Sequence, residues 1–270
     1  MTRFRFAAVG DNCIDRFQPP VGQSLVGGNA VNVAVQLARL GHDALYFGAV
    51  GDDADGERTK KALEANGVKT SHLQVRAGIT AYTDIEQAPS GDRIIAYEDF
   101  GACAGYRPND ADFAVLKTMD HVHLGWIDDG GALRRRLVAE GVSLSQDVSV
   151  NADQQNLGVE GLTVAFASAG ARDMAAEQRL DDLLAAGAGC AVVTCGEEGA
   201  LARYKMEKAE TAIKPVTVID TTGAGDSFIA GFLVAFIAGR PLAACLENGR
   251  DQAAITCTHV GGFPQQPMPL

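Results

Sequence analysis

The chain has few basic residues and no apolar run long enough to cross a membrane. Its 23 Lys and Arg residues against 34 Asp and Glu residues give a net charge of −11. Such a balance disfavours nucleic acid or an anionic membrane as a partner unless the basic side chains cluster. The first ten residues are typical of a first strand and do not form a signal peptide. We therefore predict a cytoplasmic protein in which any nucleotide site relies on backbone amides and metal.

Several sequence signatures are missing. The six cysteines form no CxxC pair, which favours buried free thiols over disulfides or a zinc site. No GxGxxG follows the first predicted strand and no GxxxxGK[ST] occurs, which excludes the Rossmann and P-loop modes of nucleotide binding. His121 and His123 share one face of a predicted strand. They are either metal ligands, with Asp128 and Asp129 after the next turn, or the end of a strand near a cleft.

What remains is an ordinary composition, with 47% hydrophobic and 21% charged residues, and an α/β pattern. A strand at 6–9, a helix at 29–40 that ends before Gly41, and a strand at 44–50 predict a βαβ unit and hence a parallel sheet. Further elements continue this alternation. They are strands at 73–75, 121–124, 144–150, 163–167 and 191–194, and helices at 55–66, 132–140 and 174–186.

Between residues 75 and 106 the pattern changes to short alternating stretches joined by Pro89-Ser90-Gly91-Asp92, which is typical of a hairpin turn. We interpret this antiparallel region, with a segment near 12–25, as a small β lid. The predicted fold class is α/β, with three α/β/α layers around a mostly parallel central sheet. No repeat or linker divides the chain, so residues 1–270 are predicted to form one domain.

The most informative motif is Asp220-Thr221-Thr222-Gly223-Ala224-Gly225-Asp226-Ser227, between a predicted strand at 216–219 and an apolar helix. Gly223 and Gly225 permit positive φ and close approach of a ligand, and the free amides at the start of the helix suit a phosphate. A carboxylate at such a site suits a general base that deprotonates an acceptor hydroxyl during phosphoryl transfer. Alternatively, Asp226 and Ser227 only cap the helix.

A second motif, Gly27-Gly28-Asn29-Ala30-Val31-Asn32, lies at the entry to the first helix. Paired glycines can admit a ligand close to the backbone, and the amides of Asn29 and Asn32 both donate and accept hydrogen bonds, which suits a polyol. Asp11 follows a parallel strand at the edge where ligands bind, and it can hold two hydroxyls. Alternatively, Asp11 is a turn residue and the asparagines are helix caps.

Both motifs resemble signatures of the PfkB (ribokinase-like) family of carbohydrate kinases, and the resemblance covers almost the whole chain. Shorter strings at 10–15 and 166–169 are most similar to the fructoselysine kinase subgroup. The resemblance implies a ribokinase-like fold with a β lid. It also implies transfer of the γ-phosphoryl group of ATP to a primary hydroxyl, the 6-hydroxyl of fructoselysine or of a similar ketose amine.

Carried over by position, the resemblance assigns roles to individual residues. Asp226 would be the catalytic base, and the amides of Gly223, Ala224 and Gly225 the anion hole. The sugar hydroxyls would be held by Asp11, Gly28, Asn29 and Asn32. Nucleotide binding would involve Thr194 and Gly196, with Thr222 beside the phosphate path, and Asp220 matches a position linked to a monovalent cation, K+.

The chain departs from the family pattern at one place. Many members carry Asn-x-x-Glu, which helps to organise Mg2+, where this chain has Ser168-Ala169-Gly170-Ala171. Mg2+ would then be held mainly by ATP phosphates and water, with Asp147 or Asp173 as candidates to assist.

The sequence leaves other functions open. The chain could phosphorylate another small sugar or nucleoside, such as fructose, ribose or an adenosine-like acceptor, or it could be a non-catalytic binding relative. Acidic lid residues, Glu86, Glu98 or Asp99, are candidates to meet a lysine ammonium. Apolar lid residues Ile85, Ile94 and Tyr97 predict pairing with a second copy of the chain.

Overall fold

The computed structural model describes residues 2–87, 93–150 and 153–270. The predicted turn at Pro89–Asp92 lies outside these described residues. In chain order, the strands are β1 (Arg5–Val9), β2 (Cys13–Phe17), β3 (Gln23–Gly27), β4 (Asp43–Gly51), β5 (Lys69–Arg76), β6 (Tyr82–Gln87), β7 (Arg93–Asp99), β8 (His121–Leu124), β9 (Leu144–Asp147), β10 (Val164–Ser168), β11 (Cys190–Thr194), β12 (Ala200–Tyr204), β13 (Glu207–Thr211) and β14 (Met268–Pro269). The α-helices are α1 (Asn29–Arg39), α2 (Ala54–Ala65), α3 (Asp110–Leu116), α4 (Ala132–Ala139), α5 (Met174–Ala185), α6 (Ala224–Ile237) and α7 (Leu242–Thr256).

The large sheet has the strand order β13-β12-β11-β10-β9-β8-β1-β4-β5. Its strands from β11 to β5 pair in parallel, while β12 and β13 extend one edge as an antiparallel hairpin. From β1 the chain proceeds to β4 and β5 on one side, and it later returns to fill β8 to β11 on the other. The order therefore reverses between β1 and β8, and in open α/β sheets ligands bind at such a reversal.

Helices cover both faces of this sheet because its strands are apolar on both faces. Ala7 and Val9 of β1 contribute to a core with α3, α4 and α5. Phe6 and Ala8 of the same strand face the opposite layer, which contains α1, α6 and α7, with α2 alongside α1. The predicted three-layer fold with a mostly parallel central sheet is confirmed.

The second sheet has five short strands in the order β14-β3-β2-β6-β7. Strands β6 and β7 lie within the segment 75–106 that was predicted as a lid. Strands β2 and β3, at 13–27, overlap the other predicted lid segment near 12–25. The sheet is not purely antiparallel, because β2 and β6 pair in parallel. Ile94, Ile95 and Tyr97 of β7 are each at least half exposed.

The predicted strand at 216–219 is wrong. Residues 212–219 are all exposed and form no strand, although their alternating β-branched residues suggested one. Ile219 donates its backbone N–H to the carbonyl of Cys257 at 2.8 Å, a contact with the end of α7 instead of a sheet partner. The glycine motif thus follows a surface loop. The predicted strand at 144–150 also ends earlier, at Asp147.

Other predictions hold at finer detail. Gly41, after the end of α1, has φ +88° and Gly67, after α2, has φ +81°, as expected for helix C-terminal stops. All six cysteines are free thiols, four of them buried as predicted and two, Cys13 and Cys257, only partly buried. No helix in the described part of the chain combines the length and apolarity that a membrane span requires.

Candidate active site

The candidate site lies at the carboxyl edge of the large sheet, where the chain order reverses. Asp11 follows β1, Asp147 ends β9, and α1 and α6 begin at the same edge. Asn29 contacts all three carboxylates of this region. Its backbone N–H donates to Asp11 at 2.6 Å, and its side-chain Nδ2 donates to Asp226 at 2.7 Å and to Asp147 at 3.1 Å. The fold therefore joins the two glycine motifs through direct side-chain hydrogen bonds.

Asp226 lies in the first turn of α6, but its carboxylate does not cap that helix. One oxygen accepts from Nδ2 of Asn29 and the other from Nδ2 of Asn32, each at 2.7 Å. Ser227 donates to the carbonyl of Gly223 at 2.9 Å, which is a bond within the helix. The capping interpretation of Asp226 is therefore wrong, and its carboxylate is positioned by α1.

The electrostatics of the site favour a proton on Asp226. Burial raises its pKa to about 8, the nearby charges of Asp147 and Asp11 add to this, and the hydrogen bonds from Asn32 and Asn29 oppose it. Burial also raises the pKa of Asp147 to about 6. A carboxylate whose pKa lies near neutral pH can accept and release a proton during turnover.

Asp11 uses more of its hydrogen-bond acceptor positions within the protein than the sequence suggested. Its carboxylate accepts backbone N–H groups from Asn29 at 2.6 Å, Ala30 at 3.3 Å and Trp126 at 2.8 Å. It thereby caps α1 from a neighbouring strand and ties β1 to the segment after β8. Since a carboxylate offers about four lone-pair sites, roughly one remains for a ligand instead of the two hydroxyls predicted. Burial nevertheless raises the pKa of Asp11.

The glycines before α1 serve close packing. Gly28 has φ +104°, and a Cβ there would lie 2.6 Å from Cα of Asn12, so the tight approach is to protein backbone. Asn32, in contrast, has a buried Oδ1 without a hydrogen-bond partner among the described residues, close to Gly262. An unpaired buried acceptor is uncommon in a folded protein, so this oxygen is a distinctive feature of the site.

The start of α6 has the form expected of an anion site. Gly223 is the N-cap residue with φ +72°, and no side chain caps this helix among the described residues. A Cβ at Gly225 would meet nothing within 4 Å, so that residue borders open space. The amide of Ala224, however, donates to the carbonyl of Thr221 at 3.2 Å. The N–H of Ala224, the first residue of α6, is thus used within the turn that precedes the helix, and the amide groups of its neighbours are the better donors for a phosphate.

The residues assigned to cation and nucleotide binding lie in two places, Asp220 and Thr222 directly before this turn and Thr194 and Gly196 after β11. Asp220 is buried, and its two oxygens accept backbone N–H groups from Thr222 at 2.8 Å and Gly261 at 2.9 Å. Thr194 ends β11 and Gly196, with φ +52°, follows it close to Gly170. The structure does not bring Thr194 or Gly196 into hydrogen-bond contact with the base.

Of the two candidates to assist Mg2+, only Asp147 is at the site. Asp173 caps α5 by accepting from the backbone of Ala175 at 2.9 Å and Ala176 at 3.1 Å. Across the described ranges, no group of three or more His, Cys, Asp and Glu side chains is arranged to hold a metal ion. His121 and His123 are fully buried, and their rings contact hydroxyl and amide groups instead of a metal site. These contacts argue against the interpretation of the two histidines as metal ligands.

Two features were missed by sequence reasoning. The ring of Trp126 stacks on Phe100 with centroids 4.0 Å apart, which joins the segment after β8 to the end of β7. Together with Asp11, Thr83 and Glu98, they line a cleft between the two sheets. The single tryptophan directly after a predicted strand was the available signal. The second feature, the contact of His123 with Asn29, required the fold.

Comparison with known proteins agrees with this geometry. The pfkB family carbohydrate kinase profile matches residues 18–127 and 162–268, which is most of the chain. The chain belongs to the pfkB family of carbohydrate kinases. It is accordingly a phosphotransferase whose acceptor is a sugar hydroxyl.

Among curated proteins, the chain is 38% identical over 260 residues to fructoselysine 6-kinase of Shigella flexneri, covering 95% of this chain and 98% of that protein. It is 37% identical, with the same coverage, to fructoselysine 6-kinase of Escherichia coli K12. Among solved structures, Arabidopsis thaliana ribokinase complexed with ribose and ATP has a TM-score of 0.84 at 22% identity, covering 96% of this chain and 94% of that one. The last likeness establishes the ribokinase-like fold.

Proposed function

We propose that this protein transfers the γ-phosphoryl group of ATP to the 6-hydroxyl of fructoselysine or a closely similar ketose amine. The observation that carries the proposal is the Asp226 carboxylate at the start of α6, held by one amide of Asn29 and one of Asn32. The similarity to fructoselysine 6-kinases over nearly the full length supports the choice of acceptor.

In the proposed reaction, Asp226 takes the proton of the acceptor hydroxyl. The alcohol oxygen then forms a bond to the γ-phosphorus while the bond from that phosphorus to the bridging oxygen breaks, and ADP leaves with that electron pair. Backbone N–H groups at Gly223, Gly225 and the first turn of α6 stabilise the charge that develops on the phosphoryl oxygens. Mg2+ enters with ATP as part of the substrate and neutralises phosphate charge.

We assign the sugar to the cleft between the sheets. Asp11 lines this cleft as an acceptor and Trp126 lines it as an apolar wall, and the amides of Asn29 and Asn32, which hold Asp226, are the proposed further partners of the sugar. Gly28 contributes by allowing the close approach of α1 to Asn12. The small sheet closes over the cleft as a lid.

The amine end of the acceptor is assigned to the acidic side of the same cleft. Glu98 lines it together with Asp99 and Asp11. Partial burial raises the pKa of Glu98, and the charge of Asp11 raises it further. A lysine ammonium placed between them would relieve that repulsion.

The nucleotide is assigned to the turn after β11, with Thr194 and Gly196 on one side and Thr222 on the other. Asp220, two residues before Thr222, is the proposed neighbour of a bound K+, since its buried carboxylate offsets the charge of a cation held by nearby carbonyls. The exposed apolar face of β7, with Ile94, Ile95 and Tyr97, is the proposed contact with a second copy of the chain.

The test is an acceptor panel. Purified protein with ATP and Mg2+ is supplied with fructoselysine, fructose, ribose and adenosine, and both ADP and phosphorylated product are quantified. We expect fructoselysine to have the highest kcat/KM. A preference for ribose or adenosine would contradict the acceptor assignment, and ATP turnover with none of the four would contradict the assignment to this group of sugars and nucleosides.

A further inference from the structure

A chain of hydrogen-bonded polar side chains, most of them buried, runs along one face of the large sheet beside β8 and ends on Asn29. His121 and His123 of β8 are both 0% exposed, and Ser145 of the adjacent β9 lies between their rings. Ser145 Oγ lies 2.8 Å from Nε2 of His121 and 2.9 Å from Nδ1 of His123. Nε2 of His123 lies 3.0 Å from Oδ1 of Asn29. At the other end, Nδ1 of His121 lies 2.8 Å from Ser143 Oγ.

The hydrogen positions along this chain follow from its last member. Nδ2 of Asn29 has two hydrogens and two carboxylate partners, Asp226 and Asp147, so the Asn29 oxygen must face His123. Because that oxygen can only accept, Nε2 of His123 must carry the proton. Its Nδ1 is then an acceptor and takes the hydroxyl hydrogen of Ser145.

The same reasoning extends to the second histidine. Ser145 has one hydrogen, which it gives to His123, so it must accept from Nε2–H of His121. Nδ1 of His121 therefore accepts from Ser143. Burial lowers the pKa of both histidines to about 3, so both rings are neutral at physiological pH. Each buried donor in the chain meets one acceptor, with a single direction from Ser143 to Asn29.

We propose that His123 is a positioning residue of the phosphoryl transfer: its Nε2–H holds the Asn29 amide so that both Nδ2 hydrogens point at carboxylates, one of them Asp226. Ser145 and His121 keep His123 in the required tautomer. The inference rests on the proposed role of Asp226 as the base.

The alternative orientation of the Asn29 amide explains why the hydrogen bond from His123 is useful. If the Asn29 amide were flipped, its oxygen would lie against the Asp226 carboxylate, and lone pairs would oppose lone pairs. Asp226 would keep only its bond from Asn32, and its ionised form would lose a charge-assisted hydrogen bond. Loss of such a bond corresponds to roughly a 10- to 100-fold change in an equilibrium or rate.

A purely structural interpretation is that the chain only satisfies buried polar groups. The two interpretations differ in what happens when the donor at position 123 is removed without loss of volume. His123→Leu removes the donor. His123→Gln retains an N–H group at the same number of bonds from the backbone as Nε2, so it can still donate to Asn29.

The experiment has two parts. In protein labelled with 15N-histidine and without substrate, long-range 1H–15N correlation reports the tautomers, and the resonances are assigned with His123→Gln and His121→Gln. We expect His123 to be neutral with the proton on Nε2 between pH 5 and pH 8. A proton on Nδ1, or a charged ring in this range, would overturn the inference whether or not Asp226 is the base.

The second part measures kcat and the KM for ATP with the preferred acceptor. We expect His123→Leu to lower kcat roughly 10- to 100-fold with little change in KM for ATP, and His123→Gln to recover most of that loss. Near-normal kcat for folded His123→Leu, or equal loss in both variants at equal thermal stability, would refute the positioning role. If His123→Leu does not fold, His123→Met takes its place as the variant without a donor, and the same comparison with His123→Gln decides.

Discussion

Replacement of Asp226 by Asn tests the central chemical step. The change removes the group that accepts the proton and keeps nearly the same shape. The two Nδ2 donors of Asn29 and Asn32, each 2.7 Å from a carboxylate oxygen, would then share one carbonyl oxygen. Positioned proton transfer contributes typically 10²- to 10⁴-fold to a rate, so we expect kcat to fall by at least about 10²-fold with KM for ATP little changed.

The same substitution has an opposite effect on stability, and its sign follows from the raised pKa. Asp226 binds its proton with a pKa of about 8 in the folded protein, against an ordinary value of 3.8. Between these values the folded state holds more protons than the unfolded state, so the wild-type protein loses stability as pH rises towards 8. The neutral Asn carries no such cost. We expect Asp226→Asn to raise the Tm at pH 8 relative to wild type, with the difference shrinking as pH falls towards 4.

The assay measures ADP release by a coupled reaction and Tm by differential scanning fluorimetry at pH 5 and pH 8. Asp110→Asn is the matched control, since that carboxylate is fully exposed at the start of α3 and should change neither quantity. A kcat for Asp226→Asn within a few fold of wild type would refute the assignment of Asp226 as the base. A lower Tm at pH 8 would refute the reasoning about its buried charge.

Four further predictions follow from the structure. The plot of kcat/KM against pH for the wild-type enzyme should fall on its acidic side with a pKa near 8. Asp147→Asn should move that fall to lower pH because it removes a neighbouring negative charge, and a fall near pH 4 in the wild type would contradict the assignment. Glu98→Gln should raise KM for fructoselysine several fold and leave KM for fructose unchanged, and an equal effect on both would remove Glu98 from the amine site. Gly28→Ala should lower the Tm by several degrees because of its positive φ and the crowded backbone beside it, whereas Gly170→Ala, with open space around it, should not. Ile95→Asp, on the exposed face of β7, should convert a dimeric protein to a monomer, measured as the molar mass in light scattering. If the wild type is a dimer and the variant has the same molar mass, the interface lies elsewhere.

Most of the fold was predictable because its elements have strong local signals. The helix from Asn29 and the strand from His121 were placed correctly by their apolar periodicity. The strand predicted at 216–219 failed because alternation alone does not supply a pairing partner, and those residues lie exposed at the surface. The parallel pairing of β2 with β6 also escaped prediction, since the two strands are far apart in sequence.

The candidate site was predictable as two motifs but not as one arrangement. Gly223 and Asp226 indicated an anion site with a base from composition and spacing alone. The sequence did not show that Asp11 accepts three backbone N–H groups, because one of them, that of Trp126, lies more than a hundred residues away in the segment after β8.

The sequence by itself determined the α/β class, the two glycine motifs and the family, since these depend on local periodicity and on short strings of residue types. Only the tertiary structure decided how the residues act together. It turned the Asp226 carboxylate away from its own helix and onto Asn29 and Asn32, and it placed His123 behind Asn29. The physical reason is that parallel strands bring distant segments to one edge of the sheet. There, burial raises the pKa of each carboxylate, and the hydrogen-bond partners of that carboxylate then decide how far its pKa is shifted.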